Sequence, residues 1–160
     1  MDVKILNNNL KFKYRVSAIF IYKDKVLVDK YGKDKFCLPG GYVEIGEISS
    51  DAMIRELKEE INLDFEILSF GGVIENFFTN IKSQKTHGIE FYYYVRLKNE
   101  KDYNLIDYDR VENDHGTIIH HHFKWIKINE LNKFKLMPQE IIKYIQNREK
   151  GFHAIINELK

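Results

Sequence analysis

The sequence has few of the features that mark disulfide-bonded, exported or membrane-spanning proteins. Its single cysteine, Cys37, excludes an internal disulfide and fits a reducing compartment. Residues 1–10 lack the apolar core of a signal peptide, and no window approaches the roughly 18 apolar residues that suggest a membrane span. We therefore expect a cytoplasmic protein that does not enter the membrane.

Linkers, repeats and a charge excess of either sign are also missing. Only two prolines, Pro39 and Pro138, interrupt the chain, and no Gly/Ser-rich or low-complexity stretch divides it. Because 44% of the 160 residues are hydrophobic, we expect residues 1–160 to form one domain with its own core. The 25 basic and 24 acidic residues leave a formal charge of +1, which argues against nucleic acid as a partner.

Several stretches rich in β-branched and aromatic residues predict strands. Residues 12–22 and the segment VLVDKY flank a KDK turn, and together they predict a hairpin. Further strands are expected in FEILSFGGVIENFFTN, GIEFYYYVRLKN and TIIHHHFKWIKI. The segment NEKDYNLIDYDRVENDHG, which precedes the last of these, is interpreted as a polar excursion.

A helix is predicted over residues 50–61, after the glycine-containing segment FCLPGGYVEIGE. Ser49 or Ser50 is expected to cap its N-terminus, and Asp51 complements the helix dipole in the first turn. The residues expected to face the core are Ile54, Leu57 and Ile61.

A second, amphipathic helix is predicted to begin at Pro138. Ile141, Ile142 and Ile145 repeat there at helical spacing, and Gly151 ends the pattern. Residues 152–160 are expected to extend or follow this helix. Strands on both sides of a central helix, with a closing helix, predict an α/β (α+β) protein whose mixed sheet is covered on both faces.

The segment RELKEEIN, residues 55–62, concentrates acidic side chains on about two turns of the first helix. On a helical wheel Glu56, Glu59 and Glu60 form a stripe beside the core-facing stripe, at the edge of a groove and not buried. Like charges at this spacing repel one another. The residues alone allow two explanations: a solvated face on which Arg55 pairs with Glu59, or a site for a hard divalent cation such as Mg²⁺ or Mn²⁺.

The spacing of these residues resembles the Nudix box. That motif has glycine, five residues, glutamate, seven residues, Arg-Glu-aliphatic, one residue, Glu-Glu, one residue, glycine and an aliphatic residue. The chain matches it from Gly41 through Glu47 and RELKEE to Leu63, with Asn62 in place of the final glycine. The resemblance implies a Nudix-type α/β/α sandwich with a central mixed β-sheet.

Asparagine at the glycine position predicts a particular backbone conformation. The last residue of a helix often enters the left-handed region, which glycine adopts freely and asparagine tolerates better than other residues. We therefore expect a positive φ at Asn62 and an unchanged set of metal ligands.

The resemblance also implies an enzyme. Nudix hydrolases cleave the pyrophosphate bond of a nucleoside diphosphate linked to another moiety, so a small-molecule nucleotide such as a nucleoside triphosphate or nucleotide sugar is the expected substrate. Mg²⁺ is the expected cofactor, with Mn²⁺ as the alternative. The oligomeric state stays open, and a homodimer is one candidate because many relatives pair. The expected metal ligands are Gly41, through its carbonyl, and Glu56, Glu59 and Glu60. The expected catalytic residues are Glu56, Arg55 and Glu47, of which Arg55 and Glu47 hold the loop against the helix.

The general base, the substrate and the leaving group stay open. On a strand only His120 and His122 of the HHH segment face the same side, and ordinary strand histidines are the favoured interpretation. A non-catalytic nucleotide-binding or sensor module is the alternative function. The candidates for the base are Glu56, Glu90, Glu112 and one of His120, His121 and His122.

Overall fold

The computed structural model describes residues 1–7, 9–31, 34–80, 82–106, 109–114 and 117–159, and over these ranges the chain forms ten strands and two α-helices. Two 3₁₀ helices, Glu100–Leu105 and Ile128–Lys133, complete the regular structure of this part of the chain. The α-helices are α1 (Ser49–Ile61) and α2 (Ile141–Asn147). The strands are β1 (Lys4–Asn7), β2 (Leu10–Tyr22), β3 (Lys25–Tyr31), β4 (Lys35–Cys37), β5 (Phe65–Thr79), β6 (Lys85–Leu97), β7 (Asp109–Asp114), β8 (Thr117–Lys127), β9 (Lys135–Leu136) and β10 (Phe152–Asn157).

The strands join into one mixed sheet in the order β10-β5-β6-β2-β3-β4-β9. β5 and β6 are antiparallel, whereas β10 runs parallel to β5 and β2 runs parallel to β6. β1 pairs with β2, and β8 pairs with both β3 and β7. β3 pairs with β2 only at Ile21 and Tyr22, at the C-terminal end of β2, so the rest of β2 is not paired with β3.

Side-chain alternation along β2 divides the core into two layers. Val16, Ala18 and Phe20 belong to the cluster that packs against α1, whereas Ile19 belongs to the cluster that packs against α2. The sheet is therefore covered on both faces, and the predicted mixed-sheet α+β architecture is confirmed. Within the described residues no helix is long and apolar enough to cross a membrane.

The structure confirms the strands predicted from β-branched and aromatic residues, including the hairpin between β2 and β3. The polar excursion is more ordered than expected, because β7 lies within it and pairs antiparallel with β8. The second helix is shorter than predicted and covers only Ile141–Asn147.

Of the two alternatives for the C-terminal tail, extension of the second helix is wrong, and the tail instead follows that helix as a strand. Phe152–Asn157 form β10, parallel to β5, while Lys160 lies outside the described residues. Phe152 packs over Gly72, where a Cβ would come within 2.3 Å of the Phe152 carbonyl oxygen, and it stacks on Tyr144 with ring centroids 4.1 Å apart. The absence of a side chain at Gly72 thus permits the close approach of β10.

The buried face of α1 differs from the predicted one. Ile54 is 37% exposed, whereas Met53, which lies beside Glu60 on the helical wheel, is fully buried. Measured around the helix from Glu56, Met53 lies at about 60°, Ile61 at about 140° and Ile54 at about 160°. The buried arc is therefore displaced toward the glutamates, and Glu60, at about 40°, lies inside it.

No serine side chain caps α1. The N-cap residue is Ile48, whose side chain cannot accept a hydrogen bond, and Asp51 lies in the first turn as expected. The Ser49 hydroxyl instead shares a hydrogen bond of 2.6 Å with the Tyr93 hydroxyl on β6. The start of α1 is thereby tied to the sheet.

Candidate active site

The loop before α1 lies along the part of β2 that β3 leaves unpaired. The backbone N–H of Val16 donates to the Gly41 carbonyl at 2.9 Å, and the N–H of Ala18 donates to the Pro39 carbonyl at 2.8 Å. A Cβ at Gly41 would lie 2.0 Å from Glu56 Oε2. Glycine is therefore required at this position for the Glu56 carboxylate to contact the loop backbone.

The Arg55 guanidinium ties this loop to α1. Its Nε and Nη2 donate to the two Glu47 carboxylate oxygens at 2.8 and 2.9 Å, and Nη2 also donates to the Tyr42 carbonyl at 2.9 Å. Its Nη1 donates to Glu56 at 2.8 Å and to Glu59 at 3.3 Å. The hydrogen bonds from Arg55 hold the pKa of Glu47 below its ordinary value. A planar fork makes all these contacts at once, which the single ammonium of lysine cannot do.

Glu56 and Glu59 differ in exposure although both contact Arg55. The Glu56 side chain is 13% exposed and the Glu59 side chain is 46% exposed. Burial raises the pKa of Glu56 to about 7, against the opposing effect of Arg55. A carboxyl group that titrates near neutral pH is suited to proton transfer.

Glu60 is buried, which corrects the expectation that the acidic stripe lies at a groove edge. Only 4% of Glu60 is exposed, and within the described part of the chain its Oε2 has no hydrogen-bond partner. Burial raises its pKa well above the ordinary value. An unpartnered buried carboxylate oxygen costs free energy unless another group compensates it.

These residues fit a divalent cation. Three carboxylates lie within five consecutive residues of one helix, one of them has a buried oxygen without a partner, and the Gly41 backbone adjoins a second. Mg²⁺ and Mn²⁺ bind such oxygen donors.

The candidates for the general base lie in different environments. Glu90 accepts a hydrogen bond from the Ser17 hydroxyl at 2.5 Å and one from the Tyr92 hydroxyl at 3.0 Å. The side chain of Glu112 lies outside the described residues. His120 is exposed, and His122 is close to half exposed, with its Nδ1 2.6 Å from Asp109. Of the candidates whose side chains the structure describes, only Glu56 contacts both the loop and Arg55.

His121 is the buried histidine of the HHH segment. Strand alternation had indicated that only its neighbours, His120 and His122, could bind the same ligand. It is 5% exposed, and its Nδ1 lies 2.6 Å from Asp29 Oδ2. Ligand atoms of Asp29, Glu60 and His121 all lie within 4.8 Å of one another. The sequence contained one signal for Asp29, a charged residue that ends the apolar run VLV in β3.

Arg15 is a second residue that the sequence analysis missed. Its Nη2 donates to the Gly40 carbonyl at 3.2 Å, its Nε lies 3.6 Å from Glu90, and its guanidinium lies 5.1 Å from the centre of the Tyr42 ring. The positively charged Arg15 side chain therefore borders the loop of the Nudix-like motif on the side of β2.

Asn62 has the conformation predicted from its place in the motif. It ends α1 with φ 59° and ψ 33°, in the left-handed region, and its N–H donates to the Lys58 carbonyl at 3.0 Å. Asparagine thus replaces glycine while keeping the helix end, which confirms the prediction.

A mixed curled sheet and a loop-helix carboxylate site define a class of protein that comparison with known sequences identifies. The family profile described as NUDIX domain matches residues 11–147. The chain belongs to the Nudix family.

Two curated relatives are similar over part of their length. An uncharacterized Nudix hydrolase from Nostoc sp. is 30% identical over 110 residues, which cover 69% of this chain and 50% of the relative. An ADP-ribose pyrophosphatase from Methanocaldococcus jannaschii is 28% identical over 104 residues, which cover 58% of this chain and 60% of the relative. The chain thus spans about half of the length of the first relative and 60% of the second.

Solved structures show the same fold at low sequence identity. The crystal structure of a MutT protein from Bacillus halodurans superposes with a TM-score of 0.65 at 14% identity, over 91% of each chain. This similarity supports the architecture alone.

Proposed function

We propose that the protein is a Mg²⁺-dependent Nudix hydrolase that cleaves the pyrophosphate bond of a nucleoside diphosphate linked to another moiety. The observation that carries the proposal is the carboxylate site on α1, where Glu60 is buried without a partner for Oε2 and Glu56 lies against Gly41. Such a site is costly for a protein that has no cation to compensate it.

The proposed ligands are contributed by one loop and one helix. The Gly41 carbonyl and the carboxylates of Glu56, Glu59 and Glu60 would hold the cation. A divalent cation in such a site neutralises diphosphate oxygens and lowers the pKa of a water molecule bound to it.

Glu56 is the proposed proton acceptor for the attacking water. It lies in the site, and burial raises its pKa to about 7 when no cation is bound, which is close to the pH at which it would have to transfer a proton. Glu90 is the weaker candidate, because it already accepts hydrogen bonds from Ser17 and Tyr92.

Arg55 and Glu47 are proposed as positioning residues. Their two parallel hydrogen bonds fix the loop on α1, and the remaining Arg55 donors orient Glu56 and Glu59. Misplacing a reacting group by about 1 Å costs on the order of a hundredfold in rate, so this support is needed for turnover.

The proposed substrate class is a small nucleotide, and the relatives define a first set of compounds. The name of the Methanocaldococcus relative makes ADP-ribose one compound to test. Nucleoside triphosphates and nucleotide sugars share the same diphosphate group and belong in the same panel.

The test is a substrate screen with product identification. Wild-type protein is incubated with Mg²⁺ and each compound, and the products are separated by chromatography. We expect at least one compound to be cleaved between phosphorus atoms, and we expect Glu56→Gln to reduce that rate by at least about a hundredfold.

Glu66→Gln is the matched control. Glu66 is a partly exposed glutamate on β5 that pairs with Arg96 and makes none of the contacts described for the site, so we expect its neutralisation to leave the rate unchanged. Equal rates for wild type and Glu56→Gln would contradict the proposed site. Tight nucleotide binding without any cleavage would favour the sensor module instead.

A further inference from the structure

Asp29, Glu60 and His121 form a buried cluster that the hydrolytic mechanism does not use in full. Each is less than 10% exposed, and their ligand atoms lie within 4.8 Å of one another. The cluster joins three elements: Asp29 belongs to β3, Glu60 to α1 and His121 to β8. Only Glu60 belongs to the Nudix-like motif.

The hydrogen bonds of the cluster support Asp29 but not Glu60. Asp29 Oδ2 lies 2.6 Å from His121 Nδ1, and Asp29 Oδ1 accepts the backbone N–H of His122 at 2.9 Å. Glu60 is only 4% exposed, and its Oε2 has no hydrogen-bond partner among the described residues. A buried carboxylate oxygen without a partner thus belongs to the side chain whose ligand atom lies within 4.8 Å of both other groups.

The distances suit one ion. Ligand atoms bound to a divalent transition metal lie about 2.0–2.2 Å from it, so two ligands on opposite sides are about 4.0–4.4 Å apart. The largest separation in the cluster is at most 4.8 Å, so a contraction of less than about 1 Å brings all three groups to bonding distance.

The donor set differs from that of a magnesium site. Mg²⁺ prefers oxygen ligands, whereas an imidazole nitrogen suits Fe²⁺, Ni²⁺, Cu²⁺ or Zn²⁺. Two carboxylates and one imidazole form a compact site for such an ion, and a divalent charge offsets two buried negative charges.

We infer that Asp29, Glu60 and His121 bind a divalent transition-metal ion, with the His121 imidazole as a nitrogen ligand. The site shares Glu60 with the cation site proposed for hydrolysis and adds two ligands that lie outside the motif. The inference does not depend on hydrolysis, because its observable is a bond between metal and nitrogen. It makes the protein selective for transition metals over Mg²⁺ at this position.

The test uses Mn²⁺ alone as the probe, bound to the full chain. Electron spin-echo envelope modulation detects the magnetic coupling between Mn²⁺ and a coordinated ¹⁴N nucleus. We expect this coupling in the wild type and its loss in His121→Asn, with Mn²⁺ affinity lowered by at least about tenfold. His122→Asn is the matched control, since His122 is the neighbouring histidine and its side chain faces Asp109. That variant should retain both the coupling and the affinity.

Several outcomes separate this inference from the proposed function. Mn²⁺ bound to the wild type without nitrogen coupling overturns the inference, even if His121→Asn does not fold, and leaves the oxygen site of Glu56 and Glu59 intact. Coupling that survives in His121→Asn also overturns it. Coupling that disappears in His121→Asn and in Asp29→Asn, while Mg²⁺ affinity changes little, supports it whether or not a substrate is hydrolysed.

Discussion

At the scale of single residues, the site depends on one position that has no room for a side chain and on one whose backbone is left-handed. Gly41 lets the Glu56 carboxylate approach the loop, and Asn62 ends α1 in the left-handed region. Neither residue supplies a side-chain carboxylate, yet both determine where the carboxylates of α1 lie. Substitutions at Gly41 and Asn62 therefore test the geometry of the site without changing its charge.

Gly41→Ala is expected to impair activity more than stability. The new methyl group would overlap the Glu56 carboxylate, which is the mobile end of a side chain and can move away. We expect turnover to fall by at least about tenfold, while the free energy of unfolding changes by less than about 1 kcal/mol.

Gly88→Ala is its control, because the nearest atom there is the flexible Lys13 Cε at 3.2 Å. Steady-state kinetics and urea unfolding provide the two measurements. Full activity in Gly41→Ala would show that close contact with Glu56 is not needed.

Asn62→Ala is expected to lower the free energy of unfolding by about 1–2 kcal/mol, because alanine has no side-chain amide to compensate the left-handed conformation. Asn62→Gly should remain within about 1 kcal/mol of the wild type, since glycine adopts positive φ freely but gains entropy in the unfolded chain. Urea unfolding of the three proteins measures both changes. If the alanine variant is as stable as the wild type, the left-handed helix end is not a constraint.

At the scale of elements, long-range strand pairing determines which helix residues are buried. β3 and β8 pair with Asp29 opposite Phe123, and this pairing brings His121 toward Glu60 on α1. The C-terminal strand β10 is also placed by long-range pairing, because it pairs with β5 and its Phe152 covers Gly72.

Phe152→Ala tests the contribution of β10 to the fold. Removing a buried aromatic ring that stacks on Tyr144 is expected to cost about 3–5 kcal/mol of the free energy of unfolding. Ile155→Ala on the same strand should stay within about 0.5 kcal/mol, because Ile155 is 64% exposed. Similar losses in the two variants would mean that β10 is not anchored through Phe152.

Local patterns predicted much of this architecture, and the errors have a common physical cause. β-Branched and aromatic runs located the main strands, and the motif spacing located α1 and the positive φ of Asn62. The buried side of α1 was assigned from aliphatic residues alone, so Met53 was overlooked and Ile54 was wrongly placed in the core. β10 and the Asp29–His121 pair arise from contacts between distant segments, which no local pattern contains.

At the scale of the whole molecule, the carboxylates of α1 couple stability to pH. In the unfolded chain Glu56 loses its proton near its ordinary pKa of 4.5, whereas in the folded chain it keeps the proton until about pH 7. Between these values the folded state binds more protons, so stability falls as pH rises. Glu60 acts in the same direction, because burial raises its pKa as well. Glu47 acts in the opposite direction, because its pKa is lowered, and its contribution is lost only as pH falls through the acid range.

The protein without added metal is therefore expected to have a lower melting temperature at about pH 8 than at about pH 5. Glu60→Gln should reduce this difference, because glutamine stays neutral at both values. Glu66→Gln should leave the difference unchanged, since Glu66 lies outside the site. Calorimetry in a chelating buffer measures all three proteins. A melting temperature that rises from the lower to the higher pH would contradict the assigned effect of burial.

The proposed hydrolysis requires that the carboxylates of α1 bind a divalent cation. Isothermal titration with Mg²⁺ measures this binding in the wild type and in Glu56→Gln/Glu59→Gln, a double variant that leaves Asp29, Glu60 and His121 in place. We predict that Mg²⁺ binds the double variant at least about tenfold more weakly than the wild type. Equal affinities for the two proteins would contradict the proposed cation site.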